Sequence, residues 1–336
     1  MNAKARMEVP DGLNEEYYQI SSEILQSFNK FRPPLNIYLF KEDVGRISPY
    51  YKVGERLSKE QIEELSRLVS EGLIFVSRSD HPVYVKHIAY QLDLVLIDKN
   101  LKESEIADIF LEALTMKLGE FLDQPVPAVF EKVWVDLMVL TEYLWNDVYR
   151  IRALAKRIHT EHSLPNHSVN TGILGLATYI KMESENFSKN QVGRDHFNRL
   201  TAGLFLHDLG MTKIPAFIRD KDKPLTPDER SKVDKHPMLG YEMLAKLDLK
   251  YPEIEKCVLE HHERLNGKGY PQKKSGRDIS KIGRLCAAVD SFCAMTTKRA
   301  YAKTYPPAEA AMILGQSKEY DIEVVKTLQA WALTKK

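Results

Sequence analysis

The feature that most constrains this chain is a set of imidazoles and carboxylates embedded in apolar helical runs. Leu204-Phe205-Leu206-His207-Asp208-Leu209-Gly210 carries an adjacent histidine and aspartate on an otherwise apolar helix. The i, i+3, i+4 rule puts Leu204, His207 and Asp208 on one face. Asp290 lies in a second such run, Ile282 to Cys293. A third stripe, through Ile254 and Val258, ends on His261 and His262. His167 opens an apolar helix from Val169 to Ile180, and His236 precedes Pro237 in a helix–loop context. A carboxylate among apolar side chains is costly unless a cation or donor compensates it. Singly, each segment has a plain alternative: His207 and Asp208 could cap a neighbouring helix, or one of His261 and His262 could pack while the other is solvated. Jointly, five histidines and two aspartates in such settings point to a metal. The three cysteines, Cys257, Cys286 and Cys293, have no ligand spacing, which disfavours a zinc finger. A mixed imidazole–carboxylate set suits iron first, manganese next, and zinc less well.

The surrounding chain reads as two domains. Its 336 residues exceed one typical domain, and 43% hydrophobic with 28% charged content lets each domain bury a core. The spacing predicts a small N-terminal α/β domain over 1–125, a helical linker over 126–160, and an all-helical domain over 161–336, so the fold class is mainly α. Residues 1–30 read as a loosely held arm or helix. Leu35 to Phe40 after Pro33-Pro34, and Leu73 to Val76, read as strands. A helix at 59–71 has Ser58 as N-cap, Gln61 as capping-box partner, a stripe of Ile62, Leu65 and Val69, and Gly72 as its stop. Val83 to Val85 and Leu94 to Ile97 read either as short strands or as parts of helices. From Ser104 the period is helical, Pro125 and Pro127 break it, and 129–157 forms a long helical run whose Trp134, Tyr143 and Trp145 suit packing within the chain or against another subunit. Thr226-Pro227-Asp228-Glu229 is a capping box with proline at its first helical position.

The balance of 48 basic and 47 acidic residues excludes a globally basic binder of nucleic-acid polymers. Lys268, Lys273, Lys274, Arg277, Arg284, Lys298 and Arg299 nevertheless make a local basic excess near the histidines, suited to a small anion. The polar N-terminus, the unpaired cysteines and the lack of a membrane-length apolar stretch predict a cytoplasmic protein away from the membrane.

In order, His167, His207-Asp208 and Asp290 resemble the H…HD…D frame of the HD phosphohydrolase superfamily. His236-Pro237-x-x-Gly240 and His261-His262-Glu263-x-x-Asn266-Gly267-x-Gly269-Tyr270-Pro271 resemble the signatures of its HD-GYP subfamily. Val289-Asp290-x-Phe292-x-Ala294-Met295-Thr296-x-x-Arg299-x-Tyr301 is similar to the helix that follows. The resemblance spans about residues 150–336. It implies a bacterial signalling hydrolase, a binuclear-metal phosphodiesterase acting on cyclic di-GMP or a related cyclic dinucleotide. His167, His207, Asp208 and Asp290 would hold one ion; Asp208 would bridge to a second held by His236, His261 and His262. His207 and Asp208 are the expected catalytic pair. Gly267 and Gly269 allow close backbone approach of a ligand, Arg299 matches a phosphate-contacting position, and Tyr270 either touches substrate or packs in its loop.

Three positions depart from the family pattern. Met211 stands where the family has a phosphate-contacting lysine, which Lys213 either replaces or does not. Asn266 replaces an aspartate. Ser163 stands where three-metal members carry glutamate, implying two ions. Met211 and Asn266 also admit a catalytically weak metal-binding module that signals through protein partners, using the G-Y-P loop or the N-terminal domain. A homodimer is compatible with either.

Overall fold

The structure, a computed structural model, describes residues 16–20, 22–88, 91–96, 101–183, 190–299 and 302–333. They fall into two compact units, Met1–Ala113 and Leu114–Lys336. The partition lies inside a helix, whereas Pro125 and Pro127, where the domain break was expected, separate two helices of the second unit.

The first unit is built on a four-stranded antiparallel sheet in the order β1-β4-β2-β3, formed by β1 (Tyr17–Gln19), β2 (Ile37–Lys41), β3 (Arg46–Tyr51) and β4 (Ile74–Ser77). The central strand β4 buries Ile74, Phe75 and Val76, consistent with its continuous apolar sequence. Its helices are α1 (Ser22–Ser27), α2 (Lys59–Ser70) and α3 (His81–Ile88). At α2, Ser58 Oγ accepts from Gln61 N at 3.2 Å and Gln61 Oε1 accepts from Ser58 N at 2.9 Å, completing the expected box. Gly72 ends the segment at φ +76°, a conformation open to glycine. Leu65, Leu68 and Val69 are buried, with Ile62 at the rim. Val83 to Val85 belong to α3 and Leu92–Leu96 forms a 3-10 turn. Ile97 lies outside the described residues, as do 1–15.

The helix α4 (Glu103–Asp123) crosses the partition, and among the described residues the regular elements of the second unit are all helical, apart from isolated bridges. It contains α5 (Pro127–Asn146), α6 (Ile151–Ala155), α7 (Leu164–Met182), α8 (Gln191–Leu206), α9 (Ala216–Arg219), α10 (Pro227–Val233), α11 (His236–Lys246), α12 (Pro252–Glu260), α13 (Lys281–Thr296), α14 (Pro307–Gln316) and α15 (Ile322–Leu333). Trp145 packs on Phe197 at 5.9 Å and Trp134 on Phe130 at 6.1 Å, so these aromatics serve the chain's own core.

Small residues set the spacing of the core helices. A Cβ on Gly172 or Gly175 of α7 would meet Phe205 or Leu204 of α8 at 2.3 Å and 2.8 Å. These contacts hold α7, which carries His167, close against α8, which ends at His207. α13 packs on α7 and α12, bringing Asp290 to the same place.

Candidate metal centre

Each candidate ligand stands at a helix end or a buried helix face for a local reason. Ser163 caps α7 by accepting from Asn166 N at 3.2 Å, and Pro165 occupies the first turn, which sets His167 one turn in. α8 terminates at Leu206, with His207 as its C-cap and Asp208 in the following turn. That corrects the expectation of a continuous helix through Asp208; leaving the helix frees both carboxylate oxygens from the crowded helix surface. His236 is the first residue of α11, and His261 is the C-cap of α12.

All seven candidate ligands converge. Asp208 Oδ2 lies 3.6 Å from both His167 Nε2 and His207 Nε2, and Asp290 Oδ1 lies 2.9 Å from His167 Nε2 and 3.9 Å from His207 Nε2. Asp208 Oδ1 faces the other way, 3.1 Å from His236 Nε2 and 3.5 Å from His261 Nε2. His262 joins this second group and approaches Asp290 Oδ2 through Nδ1 at 3.9 Å. Two groups thus share Asp208, one oxygen for each.

The hydrogen bonds behind the rings test whether a cation fits. His207 Nδ1 donates to Leu204 O at 2.9 Å, His236 Nδ1 to Val233 O at 2.7 Å, and His261 Nδ1 to Cys257 O and Val258 O at 3.0 Å. With that proton on Nδ1, each neutral ring presents a bare Nε2 lone pair to the centre. His236 Nε2 and His261 Nε2 are only 2.9 Å apart. Two facing lone pairs in a buried site repel unless a cation or proton sits with them, and the adjoining carboxylates favour the cation. The donor set therefore fits a metal.

Charge follows the same logic. Burial opposes ionisation of Asp208, but His207, His236 and His261 outweigh it and hold the carboxyl well below the usual range. Asp290 behaves likewise, burial being outweighed by His167 and His262. Burial pushes His207 down to about 4 and, with His261, holds His262 well below the ordinary histidine value. His236 is raised, because the Asp208 carboxylate outweighs its burial. Ionised carboxylates, with His207 and His262 held neutral, are ligand forms a cation needs.

The centre lies at the floor of a cleft of about 1120 Å³. Tyr270 lines it and stacks on His262 at 4.6 Å, its phenol pushed up by burial and so neutral. Gly269 also lines it; a Cβ there would meet His262 O and Arg264 N at 2.5 Å, so this glycine serves the fold of the loop. Arg299 is in the wall, and its buried Nε has no hydrogen-bond partner among the described residues. Gly267, at φ +73°, shapes the loop but is not in the wall. Lys213 is exposed and does not line the cleft, so it does not stand in for the missing lysine; the 3-10 turn Leu209–Lys213 directs Met211 inward instead. Of the remaining expected cations, Lys274 is bound to buried Glu260 at 2.6 Å and Arg284 to Asp321 at 3.1 Å, Lys273 and Arg277 do not line the cleft, and Lys268 and Lys298 do, Lys298 pairing with Glu161 at 3.4 Å. Tyr301 lies outside the described residues.

Sequence reasoning passed over three residues. Arg264, a variable position within the glycine-rich signature, donates to His261 O at 3.0 Å, Glu263 O at 2.9 Å and Ser291 Oγ at 3.3 Å, tying the His261 turn to the helix of Asp290. Glu263 is buried and accepts from Gln272 N at 2.7 Å and Lys274 N at 2.9 Å, closing the loop. His162 lines the cleft with its ring 5.9 Å from that of His167. Only Glu263, within the motif, carried a sequence signal.

Residues 187–324 match the HD domain family. The matched span is less than half of the chain, whose histidine and glycine-rich signatures resemble those of the HD-GYP subfamily. It is similar to the cyclic di-GMP phosphodiesterase response regulator RpfG of Xanthomonas campestris pv. campestris, 35% identical over 101 residues, 30% of this chain and 27% of that protein. It is similar to the cyclic di-GMP phosphodiesterase PdeB of Borreliella burgdorferi, 28% identical over 182 residues, 54% of this chain and 44% of that protein. A 3'3'-cGAMP-specific phosphodiesterase of Vibrio cholerae is 36% identical over 97 residues, 29% of this chain and 19% of that protein. The chain thus spans less than half the length of these relatives. Its fold is similar to that of Bd1817, an HDG"Y"P protein from Bdellovibrio bacteriovorus, with TM-score 0.60 and 17% identity over 94% of this chain and 99% of that one. Among the described residues no helix is long and apolar enough to cross a membrane.

Proposed function

We propose that the chain is a binuclear-metal phosphodiesterase that hydrolyses cyclic di-GMP or a related cyclic dinucleotide. The observation that carries this is the shared carboxylate: the two oxygens of Asp208 face two separate imidazole groups. His167, His207, Asp208 and Asp290 would hold one ion and Asp208, His236, His261 and His262 the other, with iron first and manganese next in preference for such ligands. When bound, the ions would supply Lewis-acid polarisation of the phosphoryl oxygens and a nucleophile available at neutral pH. The protein's part is to fix the ligands through the carbonyl-bound Nδ1 atoms, to keep the carboxylates ionised, and to bring an anion to the floor of the cleft. The relatives' names support a cyclic dinucleotide as substrate.

One feature favours a second reading. Asn266, where the family has aspartate, donates to Glu319 at 3.0 Å and accepts from Lys268 N at 3.0 Å, so it is committed to holding its loop. Together with Met211 this suits a module that keeps its metals but turns over weakly and signals through partners. The deciding experiment is turnover of cyclic di-GMP and of 3'3'-cGAMP by anaerobically purified, metal-analysed protein. Hydrolysis abolished by Asp208→Ala supports the phosphodiesterase. Full metal content without hydrolysis of either compound favours the signalling module.

A further inference from the structure

Glu260 is a buried carboxylate outside the set of candidate ligands. It is the last residue of α12, immediately before His261. A buried charge is costly unless it is paired and hydrogen-bonded, and both of its oxygens are engaged. Oε1 accepts from Lys274 Nζ at 2.6 Å; Oε2 accepts from Ser280 N at 2.9 Å and from Ser280 Oγ at 2.5 Å. Ser280 is the N-cap of α13, its Oγ accepting from Gly283 N at 2.9 Å. The carboxylate thus sits on the positive end of the helix that carries Asp290. A Cβ on Gly283 would lie 2.6 Å from that of Glu260, so the absence of one is what permits this approach.

A second tie lies at the other end of the same span. Arg264 donates to Ser291 Oγ at 3.3 Å and Tyr320 Oη donates to the same oxygen at 3.0 Å, beside Asp290. The turn that carries His261 and His262 is therefore fastened to α13 at residues 280 and 291. These two elements serve different halves of the candidate centre. Asp290 stands with His167 and His207, whereas His261 and His262 stand with His236. Ten residues separate Ser280 from Asp290, about 15 Å at the helical rise. A helix hardly stretches along its axis, so the height at which Ser280 is held decides the height at which Asp290 arrives. Metal–ligand distances tolerate only about 0.2 Å.

We propose that Glu260 is a positioning residue for the ion held by His167, His207, Asp208 and Asp290. It acts through Ser280, fixing the axial position of α13 and so delivering Asp290 to that ion. This rests on the binuclear reading above and deepens it. Lys274 balances the charge of Glu260 and is not what holds α13.

The test titrates the metal-stripped full chain with Mn²⁺ by calorimetry, with elemental analysis of the reloaded protein. Wild type should take up two equivalents, and Asp290→Asn identifies the binding step that belongs to its group. Glu260→Ala should weaken that step roughly 10–100-fold, the range for losing a group that orients a ligand, and leave the other step unchanged. Added to Asp290→Asn, it should weaken the remaining step no further. Glu260→Gln turns an amide N–H towards the Lys274 ammonium and should weaken the same step. Glu260→Gln combined with Lys274→Met removes that repulsion while the amide oxygen still accepts from Ser280, so it should restore both steps. Ser280→Ala should weaken the same step to a smaller degree, and it decides the matter if Glu260→Ala does not fold. Equal weakening of both steps, or no change in either, overturns the inference. So does a Glu260→Gln/Lys274→Met protein that binds no better than Glu260→Gln. In those cases two-ion uptake by wild type leaves the binuclear reading standing. A wild-type protein that takes up fewer than two equivalents overturns both.

Discussion

Replacing Gly210 by alanine should empty the metal centre although Gly210 has no ligand atom. A Cβ at this position would lie 1.9 Å from His236 O, 2.6 Å from Gly240 N and 2.8 Å from His236 C, all backbone atoms that no rotamer change can move. Contacts under 3.0 Å do not persist, so the turn after Asp208 and the start of α11 must separate by about 1.1 Å, the difference between 3.0 and 1.9 Å. Metal–ligand distances tolerate only about 0.2 Å. The displacement acts between Asp208 and His236, whose side chains meet at 3.1 Å. Overpacking of this kind costs about 1–3 kcal/mol in stability, within reach of a folded protein, so the expected product is folded and depleted in metal. Elemental analysis after anaerobic purification, with circular dichroism and a melting curve beside it, reads both effects. Gly119→Ala is the comparison: its Cβ would meet only Pro165 at an ordinary 3.6 Å inside a helix, so it should keep its metal and gain roughly 0.5–1 kcal/mol from helix propensity. A Gly210→Ala protein with wild-type metal content would refute the claim that this close approach sets the ligand geometry.

Anaerobically purified protein should contain close to two transition-metal equivalents, mostly iron; a third fully occupied ion, or none in any preparation, contradicts the ligand count. Asp208→Ala should lose more metal than His236→Ala, because the carboxylate faces both imidazole groups and His236 only one; equal retention contradicts a shared ligand. Glu263→Ala should cost about 2–6 kcal/mol in thermal or denaturant unfolding, since two loop amides lose a buried acceptor at roughly 1–3 kcal/mol each. An unchanged melting temperature in that variant would mean that water replaces the carboxylate.

The candidate centre was legible because burial made each candidate ligand conspicuous. Asp290 among Cys286, Val289 and Cys293, or His207 after Leu204 to Leu206, has no place in a core without a compensating partner. The capping boxes at Ser58 and Thr226 were legible because their hydrogen bonds are local. What sequence did not reveal depends on position in space. The edge strand β1 is short, and the other edge strand, β3, carries Arg46 and Pro49, which mask a strand pattern. Val83 to Val85 carry two β-branched residues yet form a helix. Lys213 and Met211 are two residues apart, and only the direction of a 3-10 turn decides which enters the cleft. Arg264 matters through backbone carbonyls of its own turn, a role that carries no sequence signature.

The convergence at Asp208 has a consequence for the chain as a polymer. His167 and Asp290 meet across 123 residues of sequence, and the segments of His207, His236 and His261 enter the same knot between them. An ion held there acts as a multi-point cross-link on an otherwise disulfide-free chain. By the chain-entropy account, a single closure over about a hundred residues removes roughly 5 kcal/mol of freedom from the unfolded state. Chelation would therefore do more than silence the cleft: it would cut the tie that keeps α7 and α13 from parting, and lower the melting temperature of the helical unit by far more than the loss of surface contacts alone.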